Sequence, residues 1–304
     1  MKHIRTALFA SSLVLSCTTS QPVSQTTNAT IAKQVALADE AYELGRYGTA
    51  ASRYRQALLF ARSQDDPRLI APLLHNLGTA LQHSHLCDDA RVMFQEAFDL
   101  YQSLDESRGK LMSLLGKGTC EHASGLPEAK TTLQQVLILA QELNQVTVAS
   151  RAASGLAAVA LAQDAPDKAA YVTQALDLAR TSKSPSALGV AHYNQGRLYE
   201  RASEAAKALE AFRHSASAYR AIDDHAGLAS ALYQQAVVSA QLQDEPLETA
   251  NLYQRAAHAS ASARQLQRSL EAFQKAANYF EKAGRKEQAD LCRERAEALK
   301  GSIK

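Results

Sequence analysis

The sequence predicts an all-α chain, wound as an α-α superhelix from about seven helix-turn-helix units of roughly 40 residues each. Three observations carry that expectation. The chain is 46% hydrophobic but only 6% aromatic, has no Trp, and holds just 13 Gly and 7 Pro in 304 residues. Strong helix formers with so few breakers disfavour a β-sandwich or a parallel-sheet enzyme, and the apolar share excludes a disordered chain. Small residues also recur at a fixed spacing along most of the chain, and a second small residue follows each of them at a nearly constant offset.

Taken in order, residues 1–17 read MKHIRTALFASSLVLSC. Lys2 and Arg5 make a basic start, and Ala7 to Ser16 form an apolar run too short to span a bilayer in a mature protein. This is the pattern of a secretory signal. Its end, Val14-Leu15-Ser16-Cys17, resembles the lipobox of bacterial lipoproteins. That resemblance implies lipidation of Cys17, cleavage before it, and a stable anchor made of several acyl chains. Thr18 stands where inner-membrane retention would call for Asp, so the resemblance implies an outer-membrane lipoprotein facing the periplasm.

Residues 18–30, TTSQPVSQTTNAT, carry no charge and little apolar periodicity, and read as a flexible polar tether. Across the whole chain Lys+Arg number 33 and Asp+Glu 31. Two bases and no acid leave with the signal, so the remaining chain balances. With no basic block, nucleic acid is not an expected partner.

Residues 31–304 are expected to form the solenoid. The first small residues fall at Ala38, Gly78, Gly116, Ala157, Gly196, Ala236 and Ala277, spaced by 40, 38, 41, 39, 40 and 41 positions. The second fall at Ala50, Ala90, Ala129, Ala169, Ala208, Ala250 and Ala289, offset by 12 to 14 positions. Two phases locked over seven units predict paired amphipathic helices. Leu73, Leu74, Leu77 and Leu81 stripe one helix, and Ala90, Phe94 and Ala97 the next. Small residues at the crossings let two axes approach, while the neighbouring aromatic fills the wedge. Units four and six lack an aromatic four residues after Ala169 and Ala250. Gly45, Gly125, Pro127, Pro166 and Gly284 mark turns.

Leu-Gly or Leu-Ala in the first helix, Gly45-x-Tyr47 at the turn, and Ala50, Tyr54, Ala57 in the second resemble tetratricopeptide repeats over about residues 31–300. The units are longer than the usual 34 residues of that family. The resemblance implies a superhelix whose first helices line a concave binding surface. It also implies that side chains three before, one after and four after the first small residue face that groove. These are Val35, Asp39 and Tyr42; His75, Thr79 and Gln82; Ser113, Lys117 and Cys120; and Tyr193, Arg197 and Glu200, with Arg201 adjacent and Tyr233 in unit six. Tyr193, Arg197, Arg201 and Tyr233 make the most binding-like group, because aromatics and Arg dominate interface hot spots.

No phosphate-cradling loop, G-x-S-x-G or H-E-x-x-H motif occurs, so neither an enzyme nor a bound cofactor is expected. His83, His85, Cys87, Cys120 and His122 form the one local cluster. Cys87 opens a second helix and Cys120 closes the next first helix, so the pair is a candidate disulfide between adjacent units. The cluster is a weaker candidate for zinc or copper. Cys292 is left over as a packed thiol. The expected function is a lipid-anchored periplasmic scaffold holding a peptide or helix of an envelope protein. The alternatives are a metal- or small-ligand-binding protein using the His/Cys cluster, and a peptidoglycan- or glycan-binding adaptor.

Overall fold

The computed structural model describes residues 23–242 and 245–302. The signal segment with Cys17 lies outside them. Fourteen helices follow one another among the described residues: α1 Val23–Glu43, α2 Tyr47–Arg62, α3 Pro67–His83, α4 Cys87–Ser103, α5 Ser107–Ala123, α6 Glu128–Glu142 and α7 Val146–Ala162, then α8 Lys168–Ser182, α9 Pro185–Arg201, α10 Ala205–Arg220, α11 His225–Leu242, α12 Pro246–Ser262, α13 Leu266–Lys282 and α14 Lys286–Ser302. No described helix is long and apolar enough to cross a membrane.

Helix starts follow local chemistry. Asp66 accepts from the Arg68 amide at 2.9 Å, with Pro67 in the first helical position of α3. Ser184 and Pro185 do the same for α9. Helix ends share one device. Each described connection holds one residue with left-handed φ, and in most of them the amide after it reaches back to a carbonyl of the preceding helix, as from Arg46 to Ala41 (2.8 Å) and from Glu106 to Tyr101 (2.9 Å). Gly45, Gly125 and Gly284 take this conformation without cost, while Asp65, His85, Asp105, Asn144, Asp164, Lys183, Ser203, Asp223 and Arg264 adopt it as well.

Every helix packs on the next, and α3, α5, α7, α9 and α11 also touch one another in succession. That extra contact puts the odd helices on the inner wall and the even helices outside. The wedge residues come from the even helices. A Cβ at Gly78 would lie 2.9 Å from the Phe94 ring and one at Gly116 only 2.5 Å, so a single ring fills the space beside two inner helices. Phe212 stands in the same way against Gly196, and Leu133 against Gly118 and Gly155.

The structure corrects three expectations. Residues 23–30 of the predicted tether are the start of α1, where Asn28 accepts a hydrogen bond from Gln64 at 2.9 Å and so ties the segment to the end of α2. Ala169 is exposed, and α8 buries Val172, Ala175 and Ala179 instead, a shift of one residue from the predicted phase. In α12 the buried residues include Thr249, Ala250, Tyr253 and Ala256. An aromatic therefore does occupy the wedge of that unit, one position before the expected one.

Candidate functional site on the inner wall

Helix α9 presents Tyr193, Arg197 and Arg201 on one face, and with His122 and Leu161 they line a cavity of about 380 Å³. Asn194 holds α9 in register by donating to the Ser154 carbonyl of α7 at 2.8 Å. The Tyr193 ring packs edge-on against Phe212 at 5.5 Å. Arg197 Nε lies 3.2 Å from Glu200 Oε2, and Arg201 Nη1 lies 3.7 Å from Asp164. Both arginines thus carry a carboxylate partner, and Arg197 Nε still makes no hydrogen bond.

Tyr233 does not join this group. It packs edge-on against Tyr253 at 5.5 Å, and its hydroxyl accepts from Lys275 Nζ at 2.7 Å. Lys275 also lies 4.9 Å above the Tyr233 ring, and Lys282 4.6 Å above Tyr279. The residue belongs to a tyrosine–lysine patch near the last helices. Spacing within a unit says nothing of how far the superhelix rotates between units, which is why the predicted foursome separates.

The remaining predicted groove residues divide by burial. Ser113 and Cys120 are fully buried and offer nothing to a ligand. Asp39 accepts a short hydrogen bond from the Tyr54 hydroxyl, and Thr79 bonds back to the His75 carbonyl. His75 Nδ1 meets Ser113 Oγ at 3.1 Å, and burial, helped by the Arg151 charge, pulls its pKa down to about 4. Tyr42 and Gln82 remain accessible at the inner wall, Tyr42 beside Tyr47 and His83 at 5.2 and 5.6 Å.

Lys117 has an internal duty. Its ammonium donates to Gln95 at 2.7 Å and lies 3.7 Å from Glu121, whose side chain is 3% exposed. The second Glu121 oxygen is buried without a partner, so the lysine is what compensates this acid. Lys117→Met should cost about 2 kcal/mol in urea denaturation, and adding Glu121→Gln should recover most of it. An equal cost in single and double variants would show that Lys117 does not compensate Glu121.

The His/Cys cluster does not assemble as a metal site. Among the described residues no three His, Cys, Asp or Glu groups converge. His85 sits in the α3–α4 turn with φ +61°, His83 stacks on Tyr47 at 4.9 Å, and His122 faces the Tyr193 cavity. What does converge is Cys87 with Cys120, both free and near enough to act on each other electrostatically. Cys292 is a buried thiol accepting from Gln254 at 3.6 Å.

Arg151 has no counterpart among the groove positions that the sequence pattern marks. Burial lowers the pKa of both His75 and His83, and the Arg151 charge on α7 adds to it. Arg151 lies six residues before Ala157, one turn earlier than the predicted groove positions.

The sequence matches no family model and no curated protein. Solved structures do match. A Rap protein complexed with competence and sporulation factor superposes with a TM-score of 0.66 at 14% identity, over 93% of this chain and 80% of that one. The Rap conjugation gene regulator of the plasmid pLS20, in complex with the Phr* peptide, gives 0.66 at 15% identity, over 97% and 80%. A signal-transduction ATPase with a tetratricopeptide-repeat sensor, from Pyrococcus horikoshii, gives 0.60 at 12% identity, over 91% of this chain and 42% of that one. At such identities the likeness speaks for architecture. The fold is that of the tetratricopeptide-repeat helical proteins.

Proposed function

We propose that this chain is a non-enzymatic scaffold that holds a peptide or a helix of a partner protein on its inner wall. A lipid on Cys17 would hold it at the periplasmic side of the bacterial outer membrane, so that its partners are envelope proteins. The observation that carries the reading is the concave inner wall itself, where Tyr193, Arg197 and Arg201 converge on one cavity. Two structures of the same fold that hold a peptide or a named factor support it. The lipid anchor is supported by the Val14-Leu15-Ser16-Cys17 sequence.

Crosslinking in living cells, followed by purification and mass spectrometry, tests both parts. A small reproducible set of envelope proteins is expected. Arg197→Glu with Arg201→Glu should lower its recovery about tenfold, with circular dichroism unchanged. Cys17→Ala should move the protein out of the membrane fraction. Recovery of the protein alone, where a known envelope complex is captured, would overturn the scaffold reading. Membrane association unchanged by Cys17→Ala would overturn the anchor.

A further inference from the structure

The two ends of the first hairpin have different neighbours. At its turn, between α1 and α2, Gly45 meets the last hairpins: a Cβ there would lie 3.7 Å from Cδ of Arg264, between α12 and α13. At the opposite end α1 starts and α2 finishes, pinned together where Gln64 donates to Asn28 at 2.9 Å. Beside that end the two helices form an open groove of about 640 Å³, lined by Thr30, Gln34, Gln56, Leu59, Phe60 and Ser63.

No lining residue is charged. Leu59 is 65% exposed, the highest value among the large apolar side chains described, and Phe60 next to it is 42% exposed. Several polar atoms of the groove already have partners within the protein. Arg53 donates to Gln34 Oε1 at 3.3 Å and to Gln56 Oε1 at 3.4 Å, and the Ser63 hydroxyl donates to the Phe60 carbonyl at 2.7 Å. The groove therefore offers chiefly apolar contact, with one guanidinium at its edge. Among the described residues Arg53 forms no ion pair. Asp65 and Asp66 follow in the α2–α3 turn, and neither lines the groove.

Chain length says what lies within reach. Because α1 begins at Val23, only six residue steps separate it from Cys17. Fully extended, they span at most about 20 Å. Thr30 lies about 10 Å further along the helix, so a lipid on Cys17 keeps the groove within about 30 Å of the membrane surface.

We propose that the open end of the first hairpin is a membrane-interfacial surface. Leu59 and Phe60 enter the boundary between headgroups and acyl chains, and Arg53 sets its charge against the lipid phosphates. The proposal rests on Cys17 carrying a lipid, and adds a second contact that orients the superhelix on the bilayer. Two side chains would hold a free protein only weakly, but a leash this short makes their insertion an intramolecular event. With two points of attachment instead of one, the inner wall is presented to partners in a fixed direction.

The chain has no Trp, so Phe60→Trp introduces a lone fluorescent reporter. The full-length lipidated variant is reconstituted into phosphatidylethanolamine–phosphatidylglycerol vesicles, with or without bromine on the upper acyl carbons. Bromine should quench at least about half of the emission, as an interfacial depth requires. Leu291→Trp on α14, 43% exposed before substitution, should be unaffected. Adding Leu59→Glu to Phe60→Trp should remove the quenching while the protein still floats with the vesicles. An unquenched Phe60→Trp on vesicles that carry the protein would overturn the interface and leave the anchor standing. Equal quenching of Leu291→Trp would overturn it as unspecific adhesion. A blue shift that grows with protein concentration, without quenching, would assign the groove to a second copy of the chain instead. Failure of the protein to float would sink the anchor reading and this interface with it.

Discussion

Phe94→Ala should destabilise the protein by about 3–5 kcal/mol, read as a shift of the urea midpoint at constant slope. The ring is 1% exposed. It lies in the notch left by Gly78 on α3 and Gly116 on α5, where even one added carbon would approach it to 2.9 or 2.5 Å. Removing it opens a cavity that backbone on both sides is too rigid to fill. The loss is large against a typical total of about 5–15 kcal/mol for a folded domain. It also falls on the interface between consecutive hairpins, which is the unit of cohesion in a solenoid. A broadened or split transition is therefore expected along with the shift. Gly116→Ala should cost about 1–3 kcal/mol from the opposite side, by overfilling the notch. If Phe94→Ala costs less than about 1 kcal/mol, the ring is not what holds α3 and α5 at their spacing.

The same notch explains why the fold is legible in the amino-acid order. Gly78, Gly116 and Gly196 are small because a ring from a neighbouring even helix occupies the adjoining space. The constraint repeats with the architecture and leaves a period of about forty residues in the chain. Local phase is less legible. α8 wedges with Val172 rather than an aromatic, and α12 with Tyr253 one place early, since packing requires a filled notch but not a particular residue at a particular count. The turns are legible only where Gly or Pro stands. Lys183 and Arg264 hold the left-handed conformation with side chains that give no warning of it.

The site is legible in its parts but not in its assembly. Tyr193, Arg197 and Arg201 lie on one helix, and helical spacing alone brings them together. Tyr233 shares their repeat phase from the next unit, yet it faces Lys275. The approach of Arg264 to Gly45 carries no such mark, because it depends on which ends meet as the superhelix closes. No pattern inside one repeat records that closure.

Oxidation should join Cys87 to Cys120 and stabilise the fold, by up to about 3–4 kcal/mol if loss of chain entropy in the unfolded state dominates. The start of α4 and the end of α5 bring the two thiols close enough to interact electrostatically, which is the neighbourhood a disulfide requires. Burial pushes the Cys120 thiol up in pKa, with the Cys87 contact adding to it. Cys120 is fully buried and Cys87 only half-buried. Cys87 is therefore the sulfur that a disulfide-bonded oxidant reaches first. It forms a mixed disulfide, and Cys120 attacks the Cys87 sulfur and releases the reagent as thiol, the pair losing two hydrogens in all. Intact-mass and peptide mapping under non-reducing conditions should show this single crosslink, with a higher melting temperature that dithiothreitol reverses. Cys87→Ser should remove the oxidation-dependent gain while leaving the reduced melting temperature nearly unchanged, because Cys87 is half-buried at the first turn of α4. Crosslinks to Cys292 instead, or a melting temperature indifferent to oxidation, would mean that the two sulfurs are close only as packed thiols and that the α4–α5 boundary has no covalent reinforcement.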